Sequence, residues 1–106
     1  MPATLTVISW RDIPAQVTAR SGRTRSAAEL SPRFQVAIDR AAMNAGLAGS
    51  DAYLAQWRKE THACSDDLDG EVAAEIQRLE TAHPQAALDA LAANAGIRPV
   101  EEAASR

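Results

Sequence analysis

Residues 4–10, TLTVISW, set Leu5, Val7 and Ser9 on one side of an extended chain and Thr6, Ile8 and Trp10 on the other. That period of two, rich in β-branched residues, predicts a strand. Apolar content on both sides predicts a central strand, or one overlaid near its end. Arg11-Asp12-Ile13-Pro14 breaks the run, because Pro14 has no N–H for a ladder and belongs in a turn or at the first residue of a new strand. Residues 15–20 are that next strand, antiparallel to the first. Arg20-Ser21-Gly22-Arg23-Thr24-Arg25-Ser26 then reads as a polar loop, the most basic patch of the chain.

Segment 31–46 is the most legible. Ser31 stands as N-cap, Pro32 as first helical residue, Phe34, Ile38, Ala41 and Ala45 recur at helical spacing, and Gly46 closes the helix with Leu47 placed for a Schellman contact. Residues 50–62 carry two signals. Tyr53, Ala55 and Trp57 alternate with Leu54, Gln56 and Arg58 as in a strand, whereas Ser50 or Asp51 can cap a short helix; a strand over 52–62 is the expectation carried forward. After Asp66, Val72, Ile76 and Leu79 stripe a helix with carboxylates in its first turn, where its dipole favours them. Pro84 opens a last short helix that presents Leu88 and Leu91 to the core and ends near Gly96. The expected fold is α+β, a small three-stranded antiparallel sheet in the order β-β-α-β-α-α with helices packed on one face. Residues 1–96 form one domain and 97–106 a flexible C-terminal tail.

Composition narrows the core. Of 106 residues 24 are alanine, so large side chains for burial are few and the core is thin. The net charge of −3 speaks against a dedicated nucleic-acid binder, but residues 1–40 hold six arginines against Asp12, Glu29 and Asp39, while residues 66–106 hold nine acids against Arg78, Arg98 and Arg106. Such asymmetry suits either an oriented partner or complementary faces of one fold. A lone Cys64 allows no intrachain disulfide, and neither a signal peptide nor a membrane-spanning run is present, so a cytoplasmic location is expected.

Candidate chemistry is sparse. The two tryptophans each precede an arginine, in SWRD at 9–12 and QWRK at 56–59. Arg11-Asp12 reads either as an anion-binding or acid/base pair at a strand end, or as a turn whose carboxylate accepts backbone hydrogen bonds. Trp57 and Arg58, with Trp10, read as core packing or as the wall of a small-ligand pocket. Arg20, Arg23 and Arg25, with Arg33 in the first turn of the next helix, read as a solvated loop or as a site for phosphate, folate glutamates or an acidic partner. His62, Cys64, Asp66 and His83 lack metal-ligand spacing, and a histidine two residues from a cysteine makes no dyad; neither metal nor cofactor is expected. Phosphate-binding glycine loops, a serine elbow and RNA-binding aromatic motifs are absent.

The stretches ISWRDIPAQV, PRFQVAIDRAAMNAGLAGSDAYL and QWR together resemble the bacterial virulence factor domain family, related to conserved virulence factor C proteins, over roughly residues 4–80. The resemblance carries no assigned reaction or catalytic residue. It implies an interaction role, and a link to folate-dependent one-carbon and methyl-transfer metabolism. The expected function is therefore a non-catalytic accessory protein docking on a larger cytoplasmic enzyme through its basic loop and an exposed sheet edge. The alternative is a small anion- or folate-binding protein, or an enzyme, with a pocket at Trp10, Arg11 and Trp57. A protein partner is expected, no nucleic acid or membrane, and an unpaired edge strand offers a route to a homo-oligomer.

Overall fold

The computed structural model describes residues 3–98. Its element order is β1 (Ala3–Trp10), β2 (Ile13–Ser21), β3 (Thr24–Glu29), α1 (Pro32–Asn44), α2 (Asp51–Ala55), β4 (Trp57–Cys64), α3 (Leu68–Ala82) and α4 (Gln85–Ala93). The strands form one antiparallel sheet in the order β3-β2-β1-β4. The α+β class holds, but the sheet has four strands, not three, and the order is β-β-β-α-α-β-α-α.

The extra strand is β3, expected as loop. Gly22, at φ 61, occupies the first position of the two-residue turn Gly22-Arg23 and lets the chain double back sharply. Thr24–Glu29 then pairs with β2, Arg25 directly opposite Arg20 and Ala28 opposite Val17. Its sequence, TRSAAE, has little β-propensity. Pairing with β2 and cover from α3, whose Asp69 accepts the Ser26 hydroxyl at 2.6 Å, override that local preference.

Pro14 lies inside β2, which begins at Ile13 rather than at Ala15. The β1–β2 register slips between Ile8 and Ser9, so Ala15 is an unpaired bulge residue, and Pro14 sits beside that local break, where a strand tolerates proline. The expected strand over 52–62 divides in two. Ser50 accepts the Tyr53 N–H at 3.2 Å and caps the short α2, after which β4 starts at Trp57.

Helix α1 closes as anticipated. The Gly46 N–H reaches the Met43 carbonyl and the Leu47 N–H the Ala42 carbonyl, the paired bonds of a Schellman ending, with Gly46 at φ 74. Ser31 stands at the N-cap position without capping through its side chain. In α3 the Asp67 carboxylate caps the Gly70 N–H, and Leu68, Val72 and Leu79 are buried.

The helices do not share one face. Among the described residues only α3 lies flat on the sheet, against β2 and β3, where Leu5, Val17 and Ala19 are buried. Helices α1 and α4 pack on each other and block the sheet end that carries Trp10 and Ile13. Trp10 is fully buried, donates its indole N–H to the Tyr53 carbonyl at 2.9 Å and stacks on the Tyr53 ring at 5.5 Å. Of the expected tail, Ile97 and Arg98 are described and hydrogen bonded, to the Asn94 carbonyl and the Asp12 carboxylate; residues 99–106 lie outside the described residues.

Gly96 makes this end possible. It sits at φ 83, and a Cβ there would stand 2.9 Å from Trp10 Cζ3 and 3.3 Å from the Ala41 Cβ. Gly46 has a similar φ of 74, and a Cβ there would meet nothing within 4 Å among the described residues. Gly96→Ala is expected to cost about 2–4 kcal/mol in urea unfolding, whereas Gly46→Ala costs only about 1–2 for the left-handed backbone. Equal losses would show that the Trp10 contact carries no weight.

Candidate functional site

The hairpin turn between β1 and β2 is Arg11-Asp12, and its polar groups are turned inward. Arg11, at φ 53, donates its backbone N–H to the Gln56 carbonyl at 3.1 Å, Nε to Gln56 Oε1 at 3.1 Å and Nη1 to the Ala95 carbonyl at 3.0 Å. Asp12 accepts from Arg58 Nη2 at 2.8 Å and from the Arg98 N–H at 2.6 Å, while its own N–H donates to the Gly96 carbonyl at 2.9 Å. These bonds tie the end of α4 and the start of β4 to the turn. Trp10 and Trp57 are direct partners across β1 and β4, and Tyr53 sits against both, stacked on Trp10 and edge-on to Trp57 at 6.2 Å. With Trp10 buried and Arg11 committed to Gln56 and Ala95, the geometry favours a structural clasp here.

Arg33 is likewise internal and stands apart from the arginines of the first hairpins. It donates Nη2 to Glu80 Oε1 at 2.8 Å, Nη1 to the His83 carbonyl, and lies 4.7 Å from the centre of the Phe34 ring. Glu80 also accepts the Ser31 N–H at 2.7 Å and the Ser31 hydroxyl at 3.0 Å. This clamp fastens the start of α1 to the end of α3.

What remains outward is the sheet face opposite α3. Thr4, Thr6 and Ile8 of β1, Gln16, Thr18 and Arg20 of β2, Arg25 of β3, and Lys59 and Thr61 of β4 line one shallow concavity of about 520 Å³. The register explains it: Thr6 is opposite Thr18 on one side and Thr61 on the other, and Thr4 is opposite Arg20, which is opposite Arg25. Thr6 and Thr61 hydroxyls hydrogen bond at 2.8 Å. Arg20, Arg25 and Lys59 are exposed and, among the described residues, have no salt bridge. Like charges set directly opposite on a sheet are destabilising, and among the described residues no salt bridge offsets the Arg20 and Arg25 pair. Arg23 adds its charge at the turn of the same hairpin.

Toward the blocked end, the face runs into a groove of about 630 Å³ that shares Ile8 and Gln16 with it and adds Leu30, Pro32, Phe34 and Trp57. A surface with an apolar groove at one end, hydroxyls in the middle and cations at the other can bind; it holds no nucleophile paired with a base. Cys64, at the end of β4, has its thiol pushed up from its ordinary value by partial burial and by the Glu71 and Asp66 charges, the opposite of thiolate activation. Exposed His62 bonds the Ala63 carbonyl, and buried His83 bonds the Leu79 carbonyl. Among the described residues no three His, Cys, Asp or Glu side chains come together as a metal site, and no helix is long and apolar enough to cross a membrane.

A family model described as "Virulence factor" matches residues 8–92. The chain belongs to that family. The match runs to the end of α4, beyond the residue 80 limit that sequence resemblance suggested, so this Virulence factor domain includes the helix pair that blocks the sheet end. Neither a curated protein nor a solved structure matches the chain. Of the face residues, Ile8, Gln16, Thr18, Arg20, Arg25, Lys59 and Thr61 fall inside the matched span.

Sequence reasoning found Arg20 and Arg25 but missed Lys59 and the threonines. Their signal was the polar half of each strand's alternation, Thr4 and Thr6, Gln16 and Thr18, Lys59 and Thr61.

For the Glu80 carboxyl, burial acts to raise the pKa, but the Ser31 hydrogen bonds and Arg33 outweigh it and hold the group below its ordinary 4.5. A carboxyl lowered in the folded state contributes stability above its unfolded pKa and loses it as pH falls through the folded one. Glu80→Gln is therefore expected to destabilise the domain by about 1–2 kcal/mol at neutral pH, with the gap to wild type closing as pH falls below the ordinary carboxyl value and through the lowered one. Denaturant melts across pH check this; a gap independent of pH would contradict it.

Proposed function

We propose that this Virulence factor domain is a non-catalytic docking module whose open sheet face receives an acidic surface of a larger protein. One observation carries the reading. Arg20 and Arg25 are held side by side on an exposed face, with Lys59 across the threonine rows and no carboxylate paired to any of them among the described residues. A partner carboxylate relieves the repulsion that the isolated fold tolerates. The groove beside Trp57 and Ile8 offers an apolar anchor point of the kind that carries binding energy at interface centres.

The same face argues for protein over nucleic acid. Base stacking needs aromatic rings on the platform, and here the central strand presents threonines and Ile8. The net charge of −3 also disfavours sequence-independent phosphate binding. The cytoplasmic enzyme of folate-linked one-carbon metabolism that the family resemblance implied is the partner class to try first; the acidic, complementary surface is the property the partner must have.

A photo-crosslinking residue placed at Thr6 in the open face, and at Ala74 on the outer side of α3 as control, tests this in native lysate. A discrete protein is expected to crosslink from position 6 but not from 74, and to be lost when Arg20 and Lys59 are both changed to Glu. Equal labelling from both positions, or labelling indifferent to the charge reversal, would overturn the proposal. Recovery of nucleic acid from position 6 would replace a protein partner with an RNA or DNA one.

A further inference from the structure

The sheet has two edges, and they are not alike. The outer strand β4 carries Arg58, Lys59, Glu60 and His62 in its exposed middle, the charged composition by which edge strands resist pairing. The opposite edge, β3, is bare among the described residues: Ser26-Ala27-Ala28 form its centre, and Arg25, Ala27 and Glu29 are all exposed.

Backbone direction along β3 is fixed by one bond beyond its end. The Leu30 N–H donates to the Ala15 carbonyl at 3.0 Å, continuing the ladder toward β2. Peptide groups of a strand alternate in direction, so Ala28, Ser26 and Thr24 also face β2, and Arg25, Ala27 and Glu29 point their N–H and C=O groups out of the sheet. These same three residues set their side chains on the open face, since Arg25 is opposite Arg20 and Glu29 opposite Gln16.

We infer that β3 pairs antiparallel with β3 of a second copy, about a two-fold axis through Ala27, to make a continuous eight-stranded sheet. Arg25 then lies opposite Glu29 of the second copy, and Glu29 opposite its Arg25. Each such pair has outward backbone groups on both sides, so the ladder closes with matched hydrogen bonds and an ion pair at each end. Other two-fold registers are worse. An axis through Arg25 or Glu29 opposes like charges, and one through Ser26 or Ala28 sets a charged residue against alanine.

The helices permit this. Because α3 lies over β2 and β3, the two copies of α3 would run two strand spacings apart, about 10 Å, an ordinary distance for packed helices. Ala73 lies on the side of α3 that faces this edge, one turn beyond Asp69, whose carboxylate is already held by Ser26. The pairing also answers the Arg20 and Arg25 repulsion from the edge, leaving Arg20 and Lys59 of each copy to serve the open face. The inference goes beyond the docking proposal and stands without it.

Light scattering coupled to size exclusion, on the full chain at about 100 µM, reads the state directly. A mass twice the 11.3 kDa of the chain is expected. Arg25→Glu and Glu29→Arg should each raise the dimer dissociation constant at least about tenfold, and the double variant R25E/E29R should restore the dimer. Ala27→Pro, which removes the N–H on the axis, should leave a folded monomer by circular dichroism. A wild-type monomer at this concentration, or a double variant no better than the singles, would overturn the inference. The Arg20→Glu/Lys59→Glu variant is expected to remain dimeric, so loss of docking and loss of pairing are read separately.

Discussion

Burial of the Trp10 indole at the end of the central strand is the contact on which the rest of the fold is arranged. The side chain is fully buried, and an indole of this size removes roughly 150–250 Å² from water, worth roughly 4–6 kcal/mol at most. In a chain with 24 alanines and four aromatic residues, no other single side chain supplies as much. Satisfying its N–H fixes the Tyr53 carbonyl, which requires α2 to be helical before β4 begins. Fitting its ring beneath α4 requires Ala95 and Gly96 in the left-handed region, at φ 59 and 83. Arg11, at φ 53, and Asp12 then seal the same end by hydrogen bonds to Gln56, Ala95, Gly96 and Arg98.

This end block decides which surface is left for function. With α1 and α4 committed to the Trp10 end and α3 to one face, the remainder of the other face, from Thr4 to Ile8 along β1, has no helix packed flat on it among the described residues. Its residues match that fate: threonines that tolerate a half-buried position, and cations that keep their heads in water. An open antiparallel face of this kind needs no functional explanation in itself. The Arg20 and Arg25 pair does, because two cations are set directly opposite and neither has a salt bridge among the described residues.

The helices were legible because their signals are local. Ser31-Pro32, the spacing of Phe34, Ile38 and Ala41, and Gly46 define α1 without reference to anything distant, and the Val72, Ile76 and Leu79 stripe does the same for α3. β3 was hidden because TRSAAE becomes a strand only through Gly22 and its neighbours in space, and α2 because Tyr53, Ala55 and Trp57 alternate like a strand while Ser50 caps a helix. The candidate site divided on the same line. Arg11, Asp12, Arg33 and Arg58 drew attention as charged residues near turns and helix starts, but each meets a partner far away in sequence, such as Glu80 or Gln56. Arg20 and Arg25 keep their charge for the outside because the one acid of their hairpin, Glu29, stands opposite Gln16 and forms no salt bridge with either.

The proposed docking surface is the threonine and cation face, and not the Arg11-Asp12 rim. Backbone amide shifts of the labelled protein, titrated with a short polyglutamate peptide as acidic probe, test it most directly. Perturbations are expected to cluster at Thr6, Thr18, Arg20, Lys59 and Thr61 and to fade with added salt. Perturbations clustered instead at Arg11, Asp12, Arg58 and Arg98 would contradict it.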